Sequence, residues 1–151
     1  MYPYQTKPVS IEAKSTESPS SLAQDTRLLD LLALVQAEAA ALKVAYESRQ
    51  KAASEDRLKE IFRSLSLDEA KHSSLLGELL YSITGKRPAV TEATEELGTQ
   101  TSTLIQRELD NSSFYRDILL ALPQGELRDY LFEIFSDAQN HSLILMNIPK
   151  E

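Results

Sequence analysis

Asp68-Glu69-Ala70-Lys71-His72 sets two polar groups, Glu69 and His72, three residues apart in the middle of an otherwise apolar helical stripe. Residues three and four apart share one face of a helix, so the stripe runs Leu58, Ile61, Leu65, Glu69, His72, Leu76, Leu79 and Ile83. A carboxylate and an imidazole on a core-facing stripe need partners, because an unpaired buried charge is costly. Gly85, a natural residue just past a helix end, with Pro88 beyond it, marks where this helix stops.

Outward from this helix the chain predicts three more. Upstream, Ser21 and Gln24 stand in capping-box spacing and open a helix that runs to about Ala53. Its stripe is Leu28, Leu31, Val35, Glu38, Leu42 and Tyr46, with Glu38 the one charged member. Ser54, followed by Glu55 and Asp56, begins the next helix after a short turn, which makes the two antiparallel neighbours. Downstream, a polar connection over 85–100, with a short helical piece near Glu92 to Leu97, is long enough to cross a bundle. The third helix presents Leu104, Glu108, Tyr115, Ile118 and Leu122 and ends at Pro123-Gln124-Gly125. The fourth runs from Glu126 to Asn147 with a stripe of Leu127, Tyr130, Ile134, Ala138, His141 and Leu145.

The expected fold is therefore all-α, a four-helix bundle with short, long and short connections. An internal repeat supports it. Leu34-Val35-Gln36-Ala37-Glu38 returns seventy residues later as Leu104-Ile105-Gln106-Arg107-Glu108, and His72-Ser73 returns sixty-nine later as His141-Ser142. Two hairpins related by a pseudo-two-fold axis bring Glu38, Glu69, His72, Glu108 and His141 to one level, and that constellation reads as a metal site. Asp137, four residues before His141, is a further candidate ligand.

Composition narrows the chemistry. The 151 residues match one domain, with 1–21 read as an extended or disordered arm and 22–151 as the bundle. Asp plus Glu number 23 against 16 for Lys plus Arg, with no long basic run, which argues against a nucleic-acid partner. No stretch suits a membrane span or a signal peptide, so the expected location is cytoplasmic. Cysteine is absent, which excludes thiolate and iron–sulfur sites; any metal sits on oxygen and nitrogen.

With these residues in place, the chain resembles the ferritin-like di-iron carboxylate proteins, most closely the rubrerythrin branch without a rubredoxin domain. The resemblance covers residues 22 to 147 and implies a metal set of Glu38, Glu69, His72, Glu108 and His141. It also implies that Tyr46 and Tyr115 lie near the site, orienting ligands or supplying protons. Two iron ions are the implied cofactor, with manganese or zinc compatible with the same donors. The chain departs from the family pattern at Ala138, where a bridging carboxylate is expected, and at Asn111. The implied activity is peroxide reduction or ferrous iron oxidation by a homodimer, with electrons from another protein. The competing reading is a structural or interaction protein on the same scaffold whose metal site has degenerated. A ferritin-type iron store is a further alternative.

Overall fold

A computed structural model describes residue 22 and residues 24–88 and 100–149. The expected arm over 1–21, the capping residue Ser21 and the helical piece near Glu92 to Leu97 lie outside these residues. Four helices make up the described chain: α1 (Thr26–Ala52), α2 (Asp56–Thr84), α3 (Thr101–Ala121) and α4 (Glu126–Met146). The fold is an all-α four-helix bundle. Among the described residues there is no strand, and no helix is long and apolar enough to cross a membrane.

Helix ends follow local chemistry. α1 opens at Thr26 rather than near Ser21 and Gln24, because Asp25 is the cap: its carboxylate accepts the Leu28 backbone N–H at 3.0 Å, satisfying one of the orphan donors of the first turn. α2 begins one residue later than Ser54 predicts, with Glu55 in an extended conformation at the cap. It ends as expected at Gly85, whose φ of 69° is left-handed and whose N–H reaches Tyr81 O at 2.8 Å. Gly125 takes a φ of 147° in the α3–α4 turn, again a conformation side-chain-bearing residues avoid.

Contacts between helices give the topology. α1 packs along α2 and α3 along α4, each pair joined by a short turn. Between the hairpins, Glu38 meets Arg107 and Arg49 meets Thr101, so α1 and α3 run antiparallel. His72 meets Asp137 and His141 meets Asp68, so α2 and α4 do the same. α2 and α3 are therefore parallel, and residues 85–100 join opposite ends of the bundle. An extended chain of that length reaches roughly 50 Å, enough for a helix such as α2 of about 43 Å.

The core is split in two. One apolar cluster gathers Leu28, Leu32, Val35, Leu76, Ile118 and Ile134 with their neighbours; the other gathers Leu42, Tyr46, Phe62, Leu65, Leu104 and Leu145. Buried polar side chains, Glu69, His72, Glu108, Asn111 and His141, occupy the same helices at the positions between them.

Candidate metal centre

The polar layer is closed by side chains from all four helices. His141 Nδ1 lies 3.1 Å from Glu69 Oε1 and 3.1 Å from Glu108 Oε1, so one imidazole bridges two buried carboxylates. Its other nitrogen, Nε2, lies 3.0 Å from Asp68 Oδ2. His72 repeats the arrangement in mirror sense: Nε2 is 2.9 Å from Asp137 Oδ2, and Nδ1 faces Glu69 Oε1 at 3.5 Å. The two imidazoles stack with centroids 5.7 Å apart and planes at 24°. The Tyr46 hydroxyl donates to Glu108 Oε1 at 2.5 Å.

Burial and charge pull against each other here. Burial opposes a charge on His141, but its hydrogen bonds to Glu108 and Glu69 prevail and push the imidazole up to about 11. The same contest leaves His72 raised, through Glu69 and then Asp137. Burial works to raise Glu69, yet its hydrogen bond to His141 and the imidazole of His72 facing it hold it below the ordinary carboxylate range. Glu108 goes the other way, raised by burial and by the nearby Glu69 against the pull of His141. Burial, followed by the Glu108 charge, pushes the Tyr46 phenol up, so it stays a proton donor. Without a metal the layer is thus held by the hydrogen bonds of His141 to Glu69 and Glu108, which favour the charged imidazole against its burial.

Four of the residues expected at the site, Glu69, His72, Glu108 and His141, come together, each at most 2% exposed. Glu38 does not join them. It lies on the flank of α1, where Arg107 grips both its carboxylate oxygens at 2.6 and 2.8 Å and its side chain remains 25% exposed. Ala39, fully buried, takes the inward position instead. Asp137 reaches the imidazole of the opposite hairpin rather than sharing a metal position with His141 on its own helix. Tyr46 contacts Glu108, and Tyr115 is buried in the larger apolar cluster, its phenol raised by burial and by Glu69, Glu108 and Glu38.

Asp68 is the site residue that sequence reasoning passed over, although a signal existed. Asp68 precedes His72 by four residues and Asp137 precedes His141 by four, a repeat at the same sixty-nine-residue interval as the histidines. Asp68 and Asp137, both partly exposed, connect the layer to solvent, and Asp68 does so at a cleft. This open cleft of about 480 Å3, between α2 and α4, is also lined by Leu65, Leu143 and Ile144.

The internal repeat has one register throughout, and it is sixty-nine residues rather than seventy. Val35, Ala39, Leu42 and Tyr46 of α1 correspond to Leu104, Glu108, Asn111 and Tyr115 of α3, and all eight are buried. Leu65, Glu69, His72 and Leu76 of α2 correspond to Ile134, Ala138, His141 and Leu145 of α4, again all buried. The seventy-residue match of Glu38 with Glu108 fails because one residue turns a helix by about 100°, which carries Glu38 out of the core. A clue was present: the tyrosines follow Glu38 by eight residues and Glu108 by seven, so the two glutamates are not equivalent.

The layer fits a metal ion on two observations. A carboxylate oxygen of Glu69, one of Glu108 and a ring nitrogen of His141 all lie within 4.8 Å of one another and are buried. Glu108 Oε2 and His72 Nδ1 are buried and, among the described residues, without a hydrogen-bond partner. Native structures seldom leave such atoms unsatisfied, at a cost of roughly 1–3 kcal/mol each. The donors are hard oxygens and a borderline nitrogen, with no sulfur, which suits iron, manganese or zinc. Both aspartates occupy the outer imidazole nitrogens, which fixes the rings with Nδ1 turned into the layer, an arrangement that raises ligand basicity. No family model matches this chain, and neither does any curated protein or solved structure.

Proposed function

We propose that the protein is a ferritin-like metal protein that uses iron in peroxide reduction or ferrous iron oxidation. The unpartnered, buried Oε2 of Glu108 beside Glu69 and His141 carries this reading, because it places an available carboxyl oxygen where two further donors already converge. Glu69, Glu108 and the Nδ1 atom of His141 hold the ion, and Asp68 keeps that imidazole oriented. When bound, iron supplies the electron transfer to dioxygen or peroxide that no side chain of this chain offers. Tyr46, hydrogen-bonded to Glu108, holds a proton at the edge of the layer. Continuous peroxide turnover also needs a source of electrons, which this reading assigns to another protein.

Anaerobic titration of metal-free protein with ferrous iron, followed by desalting, elemental analysis and a hydrogen peroxide pulse, tests the proposal. Retained iron that Glu69→Ala abolishes, together with rapid oxidation by peroxide, is the expected result. A chain that retains no iron contradicts it.

One observation favours a second reading, a structural or interaction protein. The bridging of Glu69 and Glu108 by His141 satisfies much of the layer without a metal. On that reading the thermal midpoint is the same with ferrous iron and with chelator, whereas a ligand bound only to the folded chain raises it.

A further inference from the structure

We infer that the layer holds one metal ion per chain, on Glu69, Glu108 and His141, and that the symmetry-related position lacks the donors for a second because alanines stand where the two carboxylates would be. The inference rests on the metal-binding reading above and specifies what that site accepts.

The argument is one of symmetry. The sixty-nine-residue relation sends Glu108 to Ala39, Glu69 to Ala138 and His141 to His72. Applied to the triad, it gives Ala39, Ala138 and His72, a set with one donor atom. Both alanines are in the core, Ala39 at 0% and Ala138 at 1% exposure, so they are the inward residues of their turns. Each hairpin has kept one carboxylate, and the two retained carboxylates are not symmetry mates. Both therefore lie within hydrogen-bond reach of His141, at 3.1 Å each, whereas His72 has only Glu69 near its inner nitrogen, at 3.5 Å. Glu38, the remaining carboxylate of α1 near this level, is taken by Arg107. Asp137 is taken by the outer nitrogen of His72.

A second ion would have one imidazole nitrogen and a share of Glu69, with no other free carboxylate or imidazole beside it among the described residues. Site affinity rests on the number and geometry of ligands, so the His72 side holds its ion far more weakly than the triad does. The tyrosines show the same asymmetry. Tyr46 donates to Glu108, but the equivalent partner of Tyr115 is Ala39, and a methyl accepts nothing.

Manganous ion serves as the probe, with metal-free full-length protein, elemental analysis after desalting and electron paramagnetic resonance of the bound ion. Wild type is expected to retain one ion with the hyperfine pattern of an isolated centre. His72→Ala is expected to retain that ion, and Glu108→Gln to lose it. Ala39→Glu with Ala138→Glu restores the symmetric donor set and is expected to retain two ions with an exchange-coupled spectrum. Circular dichroism of each variant confirms that it is folded. If that double variant does not fold, wild type, His72→Ala and Glu108→Gln still decide the matter. Two ions in wild type, or loss of the ion in His72→Ala, overturns the inference while leaving metal binding standing. No ion in any form overturns the metal reading itself.

Discussion

The two hairpins of this bundle share a backbone plan and a buried register, yet they differ at the two positions that matter most to the layer between them. α1 and α2 contribute Ala39, Glu69 and His72; α3 and α4 contribute Glu108, Ala138 and His141. Each hairpin carries one buried carboxylate and one imidazole, but the carboxylate has moved from the second helix of the first hairpin to the first helix of the second. A near-symmetric scaffold thereby carries an asymmetric centre. The imidazoles and their aspartates still obey the symmetry, as the crossed Asp68–His141 and Asp137–His72 contacts at 3.0 and 2.9 Å show. Symmetry in the surrounding contacts does not guarantee symmetry in the donors.

The largest effect expected is from Glu69→Ala. Glu69 faces both imidazoles, and its removal takes a buried carboxylate partner from each, leaving His141 with Glu108 and Asp68 and His72 with Asp137 alone. Breaking a buried pair in this way costs about 3–5 kcal/mol. Urea unfolding of metal-free protein reads it directly, and a loss below about 1 kcal/mol, the scale of an exposed pair, breaks the picture of a charge-balanced layer.

Alkaline pH comes next. His141 is carried from 6.5 to about 11 by its carboxylate partners, so its stabilisation is complete below pH 6.5, declines as pH rises and is gone above about 11. His72 shifts the same way. Glu69, held low, contributes above its ordinary value of 4.5 and loses that contribution as pH falls through its lowered value. Glu108, raised, opposes folding at neutral pH. In chelator, thermal midpoints should therefore fall as pH is stepped from 6.5 towards 11. His141→Asn should flatten that fall more than His72→Asn does, and the reverse order would invert the proposed asymmetry.

The two aspartates give a sharper, smaller test. Asp68→Asn and Asp137→Asn alter half-exposed side chains of 45% and 40% exposure, so each costs under about 1 kcal/mol of stability. Their effects on metal should differ. Asp68 orients the imidazole of the triad, and its loss is expected to weaken manganese binding by about 10- to 100-fold. Asp137 orients the other imidazole, and its loss should leave affinity nearly unchanged. Isothermal titration of both variants with manganous ion distinguishes them, and equal losses would restore a symmetric, two-ion centre. Smallest of all is Glu38→Gln. Its partly exposed pair with Arg107 contributes under about 1 kcal/mol, and metal stoichiometry should not change.

Much of this was legible in the chain. Stripes of Leu, Ile and Val at helical spacing mark four helices, and Glu69 and His72 stand out because apolar residues flank them on both sides. Glu38 is harder to place, because Ala37, Ala39, Ala40 and Ala41 surround it. Alanine has little hydrophobic contrast, so the period of α1 admits two registers one residue apart, and only packing selects Ala39. The same shift moves Leu31 to Leu32 and, on α4, Tyr130 to Leu131 in the buried stripe. Asp68 and Asp137 lie off the apolar face, and their partners stand on another helix, so only the assembled bundle reveals the crossed contacts.

A crystal structure of manganese-soaked protein, with data collected at the metal's absorption edge, tests the central claim most directly. The account predicts a single strong anomalous peak within bonding distance of a Glu69 oxygen, Glu108 Oε2 and His141 Nδ1, with no peak of comparable height at His72 Nδ1. No peak in the layer would contradict it, and so would two peaks of equal height, one beside each imidazole.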